Sequence, residues 1–255
     1  MLTSTPAIEV GGGPPVAASM PRRLLAECLG TGVLVAVVVG SGIAAQRLSP
    51  DDRGLQLLEN SVATALGLAA VILMVGAVSG AHLNPVVSAC DWWLGRGVDD
   101  QVRGLSAAAA GGYVLAQLAG GIGGALLANA MYGVPAALAT TDRTGGRLWL
   151  GEVVATAGLV LLVAALVRTD RAALAAPAVA AYIGAAYWFT SSTSFANPAV
   201  TVGRMFSDTF AGIAPGSVPP FVSAQLAGGA LGALLARALY PLPGSRRSPV
   251  EGPVS

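Results

Sequence analysis

Six stretches of the chain are each close to twenty residues long and almost purely apolar: Leu24–Ala45, Ser61–Val78, Gly111–Tyr132, Leu148–Val167, Ala172–Phe189 and Val218–Tyr240. About 20 apolar residues are what a helix needs to cross a bilayer core. The pattern therefore predicts an all-α membrane protein whose first partner is the lipid bilayer. Composition agrees, since 54% of the 255 residues are hydrophobic and only 11% are charged, against roughly a quarter charged in a soluble domain. That is too little charge to cover a water-facing surface of this size. The 14 basic residues are all arginines, scattered between apolar runs, and the net charge is +1. Such a chain offers a phosphate backbone no basic stripe to track, so no nucleic acid partner is expected. Cys28 and Cys90 lie in apolar stretches without metal or redox spacing and read as packed thiols. With no nucleophile beside a base, no metal cluster and no phosphate loop, the sequence implies neither an enzyme nor a cofactor or metal site.

Between the second and third spans, and again between the fifth and sixth, lies an apolar piece of about ten residues, too short to cross a membrane. Each opens on nearly the same phrase, Asn84-Pro85-Val86-Val87 and Asn197-Pro198-Ala199-Val200. Asn suits a helix N-cap and Pro the first helical position, so each phrase predicts a helix starting at its proline. Ten residues make about 15 Å of helix, half the thickness of a bilayer core. Two such half-helices from opposite sides would meet near the midplane.

An internal repeat supplies the opposite sides. Ala116–Ala128 reads AQLAGGIGGALLA and Ala224–Ala236 reads AQLAGGALGALLA, differing only at Ile122/Ala230 and Gly123/Leu231. Each half opens with an acid early in a span (Glu27, then Glu152), continues to its Asn-Pro phrase and closes on the AQLAGG span. With an odd number of full spans per half, the second half is inverted relative to the first. Gly120 with Gly124, and Gly228 with Gly232, give both closing spans a GxxxG face for close helix packing.

Residues 1–20, rich in Gly, Pro, Ser and Thr, read as a disordered tail, and the basic, apolar and small-residue order of a signal peptide is missing there. A membrane-spanning unit over 21–241 follows, in halves of about 21–135 and 146–241, and then a tail over 242–255. Arg22, Arg23, Arg96, Arg103, Arg168, Arg171, Arg246 and Arg247 fall on the side of the termini, and Arg47, Arg53, Arg143 and Arg147 on the other. The positive-inside rule places both termini in the cytoplasm.

The phrases SGAHLNPV from Ser79 and FANPAV from Phe195, on six spans in two inverted halves, resemble the aquaporin or major intrinsic protein family over nearly all of the chain after the tail. The resemblance implies six membrane-spanning helices with two re-entrant half-helices, a cell-membrane homotetramer, and one pore per subunit for water and small neutral solutes. The half-helix N-termini would set positive dipole ends at the pore centre, disfavouring cations. Asn84 and Asn197 would be the central donors. By the family's spacing, an outer constriction falls at Thr64, Ala185, Ser194 and Val200. The last position usually holds an arginine, and its replacement by valine implies a wider, less polar opening than in a strict water channel. Arg204, about two turns along the second half-helix, could line the outer mouth, snorkel to the interface or pair with Asp208. The arginine-free opening is similar to that of bacterial members passing glycerol-like solutes, including a subset associated with arsenic, whose neutral acid As(OH)3 has polyol-like size.

Glu27 and Glu152 would be costly in lipid. Their matched positions read as acceptors for the backbone of the re-entrant loops, with Gln117 and Gln225 serving the same loops. A proton relay is the other reading of these acids. It would go with a coupled secondary transporter, a machine that also uses broken helices and inverted repeats. His82, the single histidine, sits just before the first half-helix, where the resemblance implies a cytoplasmic vestibule. Tyr187, Trp188 and Phe189, and Trp92 with Trp93, read as interface anchors.

Overall fold

The structure, a computed structural model, describes residues 18–96 and 104–241. The expected C-terminal tail over 242–255, and residues 1–17 of the expected N-terminal tail, lie outside the described residues. The described residues form α1 (Met20–Leu48), α2 (Arg53–Ser79), α3 (Pro85–Leu94), α4 (Ala107–Tyr132), α5 (Gly146–Arg168), α6 (Ala175–Phe189), α7 (Pro198–Arg204) and α8 (Val218–Leu239). Short 3₁₀ turns, Ala172–Leu174 and Pro215–Ser217, lead into α6 and α8.

Six of these helical segments are long and apolar enough to cross a membrane. α2 starts eight residues before its apolar run because Asp52 caps it, its carboxylate accepting from the Leu55 N–H at 2.9 Å. Ser106 does the same for α4, accepting from Ala109 N–H at 3.1 Å. The burial pattern is that of a protein dissolved in lipid. Leu25, Leu29, Leu66, Leu73 and Leu115 are exposed, while Glu27, Gln117, Glu152 and Gln225 are fully buried. The protein is a multi-pass membrane protein.

α3 has ten residues and α7 only seven, so the second half-helix is shorter than the repeat suggests. The two start tip to tip, joined by hydrogen bonds described below. What allows that approach is a set of glycines on the closing helices. A Cβ at Gly120 would strike the carbonyl of Cys28, and one at Gly124 the carbonyl of Gly32, both on α1. At the repeat-related positions, Gly228 would strike Val153 O at 2.5 Å and Gly232 would strike Ala157 O, both on α5. Each closing helix thus packs backbone to backbone on the opening helix of its own half. The middle glycine of each motif faces elsewhere. Gly121 lies against Ala199 O of α7, with an added Cβ at 2.6 Å, and Gly229 lies against the Val86 side chain of α3. Each half therefore seats the half-helix of the other.

Gly123, by contrast, faces open space. Overpacking typically costs about 1–3 kcal/mol, and the atoms met at Gly124 are backbone that cannot move aside. Gly124→Val is expected to destabilise by at least that much and Gly123→Val by little, as read from thermal unfolding of the purified protein in detergent.

Candidate functional site

The two half-helices follow short stretches of irregular backbone built to one pattern. Ala81 and Leu83 have φ of 49° and 52°, and Ser194 and Ala196 have φ of 49° and 47°. These are the third and first residues before each asparagine. A left-handed conformation costs a side-chain-bearing residue roughly 1–2 kcal/mol, so something must hold all four. Glu27 does it in the first half: its carboxylate accepts from His82 N–H at 3.0 Å, Leu83 N–H at 2.7 Å, Ser79 Oγ at 2.6 Å and Gln117 Nε2 at 2.7 Å. Glu152 does it in the second, accepting from Phe195 N–H at 2.9 Å, Ala196 N–H at 2.8 Å and Gln225 Nε2 at 2.6 Å. Each glutamine also donates into the half-helix, Gln117 to Ser88 Oγ at 3.0 Å and Gln225 to Thr201 Oγ1 at 2.8 Å.

Asn84 and Asn197 cap their half-helices. Asn84 Oδ1 accepts from Val86 N–H, and Asn197 Oδ1 from Ala199 N–H, both at 2.9 Å. Pro85 and Pro198 occupy the first helical positions. The amide nitrogens cross over: Asn84 Nδ2 donates to Ala196 O and Asn197 Nδ2 to Leu83 O, each at 2.7 Å. A primary amide has two hydrogens. One is spent on this crossing and the other remains for the space between the tips.

That space is a cavity of about 610 Å³, bordered by Asn84 and Asn197 midway, by His82 and Arg168 towards the termini, and by Thr64 and Arg204 towards the opposite side. His82 Nδ1 lies 3.2 Å from Ser88 Oγ, and its ring meets Tyr113 edge-on at 5.3 Å. Cys90 also borders the cavity. Val86 does not; it packs with Val160 and Ala233 behind α3.

Of the four positions expected at the outer constriction, Thr64, Ser194 and Val200 border the cavity. Ala185 does not, and this corrects the expectation. It is exposed on the outer face of α6. Ile183 and Tyr187, one helical turn apart, take the inward face and border the cavity. At 100° per residue, Ala185 lies about 200° from either of them. Counting from the second asparagine assumed a fixed separation between the end of α6 and α7, and the connecting loop does not keep it. Tyr187 is therefore no interface anchor: it is 3% exposed, and its hydroxyl lies 3.1 Å from Thr64 Oγ1. Trp188 and Phe189, 52% and 56% exposed, do face outward.

Arg204 neither reaches an interface nor pairs with Asp208. It is 3% exposed, its Nε donates to Ala211 O, and its guanidinium lies 3.4 Å from the centroid of the Phe195 ring. Asp208 instead accepts from Thr140 N–H at 2.8 Å and Thr140 Oγ1 at 2.9 Å. Sequence reasoning also passed over Ser88 and Thr201. Both stand four residues after their asparagine, an offset that the repeat displays.

Residues 16–195 match the family model described as Major intrinsic protein. Over 221 residues the chain is 47% identical to Aquaglyceroporin AqpS of Rhizobium meliloti (strain 1021), covering 86% of this chain and 89% of that protein. It is 31% identical over 115 residues to the Propanediol uptake facilitator PduF of Citrobacter freundii, covering 45% of this chain and 39% of that one. Among solved structures, the aquaglyceroporin from Plasmodium falciparum superposes with a TM-score of 0.63 at 20% identity, covering 87% of this chain and 96% of that one, a likeness of fold. The chain belongs to the major intrinsic protein family. It is a passive membrane channel of that family, not a member of an enzyme family.

A buried donor stripped of its acceptor costs about 1–3 kcal/mol, and Glu152→Leu strips Phe195 N–H, Ala196 N–H and Gln225 Nε2 together. The variant is expected to lose several kcal/mol in detergent unfolding. Gln225→Leu, which leaves the two loop amides with their acceptor, is expected to lose less.

Proposed function

We propose that the channel conducts neutral hydroxylated solutes the size of glycerol, with As(OH)3 among its cargo, as well as water. The observation that carries this is Val200. It borders the cavity one turn into α7 and presents a buried aliphatic side chain with no donor. Beside it, Thr64 and Tyr187 offer hydroxyls, and the Ser194 Oγ has no hydrogen-bond partner within the chain. An opening that combines an apolar wall with hydroxyls suits a molecule with a carbon face and an oxygen face. The names of two relatives, an aquaglyceroporin and a propanediol uptake facilitator, support the same solute class.

In this reading Thr64, Tyr187, Ser194 and Val200 form the outer filter, and the free amide hydrogens of Asn84 and Asn197 bond the solute at the centre. His82 lies in the vestibule on the side of the termini. The distribution of arginines supports a plasma-membrane protein with cytoplasmic termini, and the family supports a homotetramer. The carboxylates of Glu27 and Glu152, each filled by backbone and amide donors, support passive flux over coupled transport.

Stopped-flow light scattering on proteoliposomes tests the reading. The unaltered chain is expected to pass water, glycerol and arsenous acid, and Val200→Arg to lose at least tenfold in the two larger solutes while keeping water. Water flux alone from the unaltered chain contradicts the open filter.

A further inference from the structure

A buried cation is costly unless it is paired or put to use, and inside a membrane-spanning bundle it marks function by default. Arg204 is such a cation. At 3% exposure it is among the most buried charged residues of the chain, and no carboxylate lies within ion-pair distance of it among the described residues. Only its Nε is bonded, to the Ala211 carbonyl. Among the described residues its terminal nitrogens have no hydrogen-bond partner, and Arg204 borders the cavity.

The surroundings hold the guanidinium in place without neutralising it. The Phe195 ring takes Arg204 at 3.4 Å and a second guanidinium, that of Arg143, at 5.1 Å. Three consecutive carbonyls anchor the pair: Phe210 O and Gly212 O accept from Arg143 at 3.2 and 2.8 Å, and Ala211 O accepts from Arg204. The carboxylates at this end are otherwise occupied. Glu152 is filled by Phe195 N–H, Ala196 N–H and Gln225. Asp208 is taken by Thr140 and Asp142 by Ser217, and both aspartates stand at exposed positions where water and salt screen them. At this end two guanidiniums, those of Arg143 and Arg204, stand against one buried carboxylate, Glu152, which leaves the local balance positive.

Val200 and Arg204 are four residues apart on α7, hence on one face, one turn from each other. We propose that Arg204 is the residue that keeps cations out of this pore, its charge set one turn outward from the narrow layer at Val200. Separating the two jobs has a physical consequence. Val200 leaves room for a polyol at the constriction, while Arg204 repels a cation before it arrives and offers two N–H groups to a neutral oxygen.

The proposal rests on the solute path running past Val200, and the test separates the two. In proteoliposomes of the full chain, potassium flux and glycerol flux are measured on the same preparation. The unaltered chain is expected to carry glycerol with potassium flux at the level of protein-free lipid. No glycerol flux overturns the solute path itself, whereas glycerol flux accompanied by a potassium leak overturns the role of Arg204 alone. Arg204→Gln is expected to raise the potassium-to-glycerol flux ratio at least tenfold, and adding Val200→Arg to that variant to bring the potassium flux itself back to the level of protein-free lipid. An unchanged ratio in Arg204→Gln overturns the proposal. Should Arg204→Gln fail to assemble, Val200→Asp leaves Arg204 in place and sets an opposite charge one turn away. It is expected to raise the ratio likewise, and a ratio at the unaltered level overturns the proposal.

Discussion

A helix that begins in the middle of a bilayer leaves the backbone before it at a depth where no water can bond it. Each unsatisfied group there costs several kcal/mol, and here five residues of that backbone, Ala81, Leu83, Thr193, Ser194 and Ala196, also stand in a left-handed conformation. Two buried carboxylates meet both demands. Glu27 and Glu152 each accept from two consecutive loop N–H groups and from a glutamine that in turn bonds the half-helix. Everything that makes the centre of the protein chemically distinctive depends on them. They fix the carbonyls of Leu83 and Ala196, which take one hydrogen from Asn197 and Asn84 and so aim the second hydrogen of each amide at the space between the tips.

The glycines are the complement of this polar frame. Where α4 meets α1 and α8 meets α5, backbone touches backbone, and a single Cβ would drive the helices apart. Because Gly121 receives α7 and Gly229 receives α3, neither half can complete its seat alone. The inverted repeat is therefore an exchange: each half contributes a half-helix and a groove, and the groove accepts the other half's piece. Such a core has two discrete layers, polar clamps around the loops and apolar close packing outside them, with leucines turned to lipid.

Much of this was legible in the sequence because it depends on period and repetition. The spans, the Asn-Pro starts and the matched acids each appear twice, and the second copy fixes the meaning of the first. What the repeat does not encode was read less well. The register of α6 against α7 is set by the loop over 190–197, so Ala185 was expected where Tyr187 stands. Tyr187 itself, next to Trp188 and Phe189, has the composition of an interface anchor, and only its position on the inward face of α6 reveals otherwise. Arg204 gave no sign of its surroundings, because Phe195 and Ala211 come to it from two separate loops. The shortness of α7 also escaped notice, since the apolar run continues past the point where the helix stops at Arg204.

The central claim is that the clamped loops form a fixed path, with no element that must move and with both buried carboxylates held by loop and glutamine donors instead of carrying a proton through it. The most direct test is the initial rate of glycerol flux into proteoliposomes, measured over a wide range of glycerol concentration and under an imposed proton gradient of either direction. The account predicts a rate that rises linearly with concentration and does not respond to the gradient. A rate that saturates and follows the gradient would contradict it, and would place Glu27 and Glu152 in a proton-coupled cycle instead.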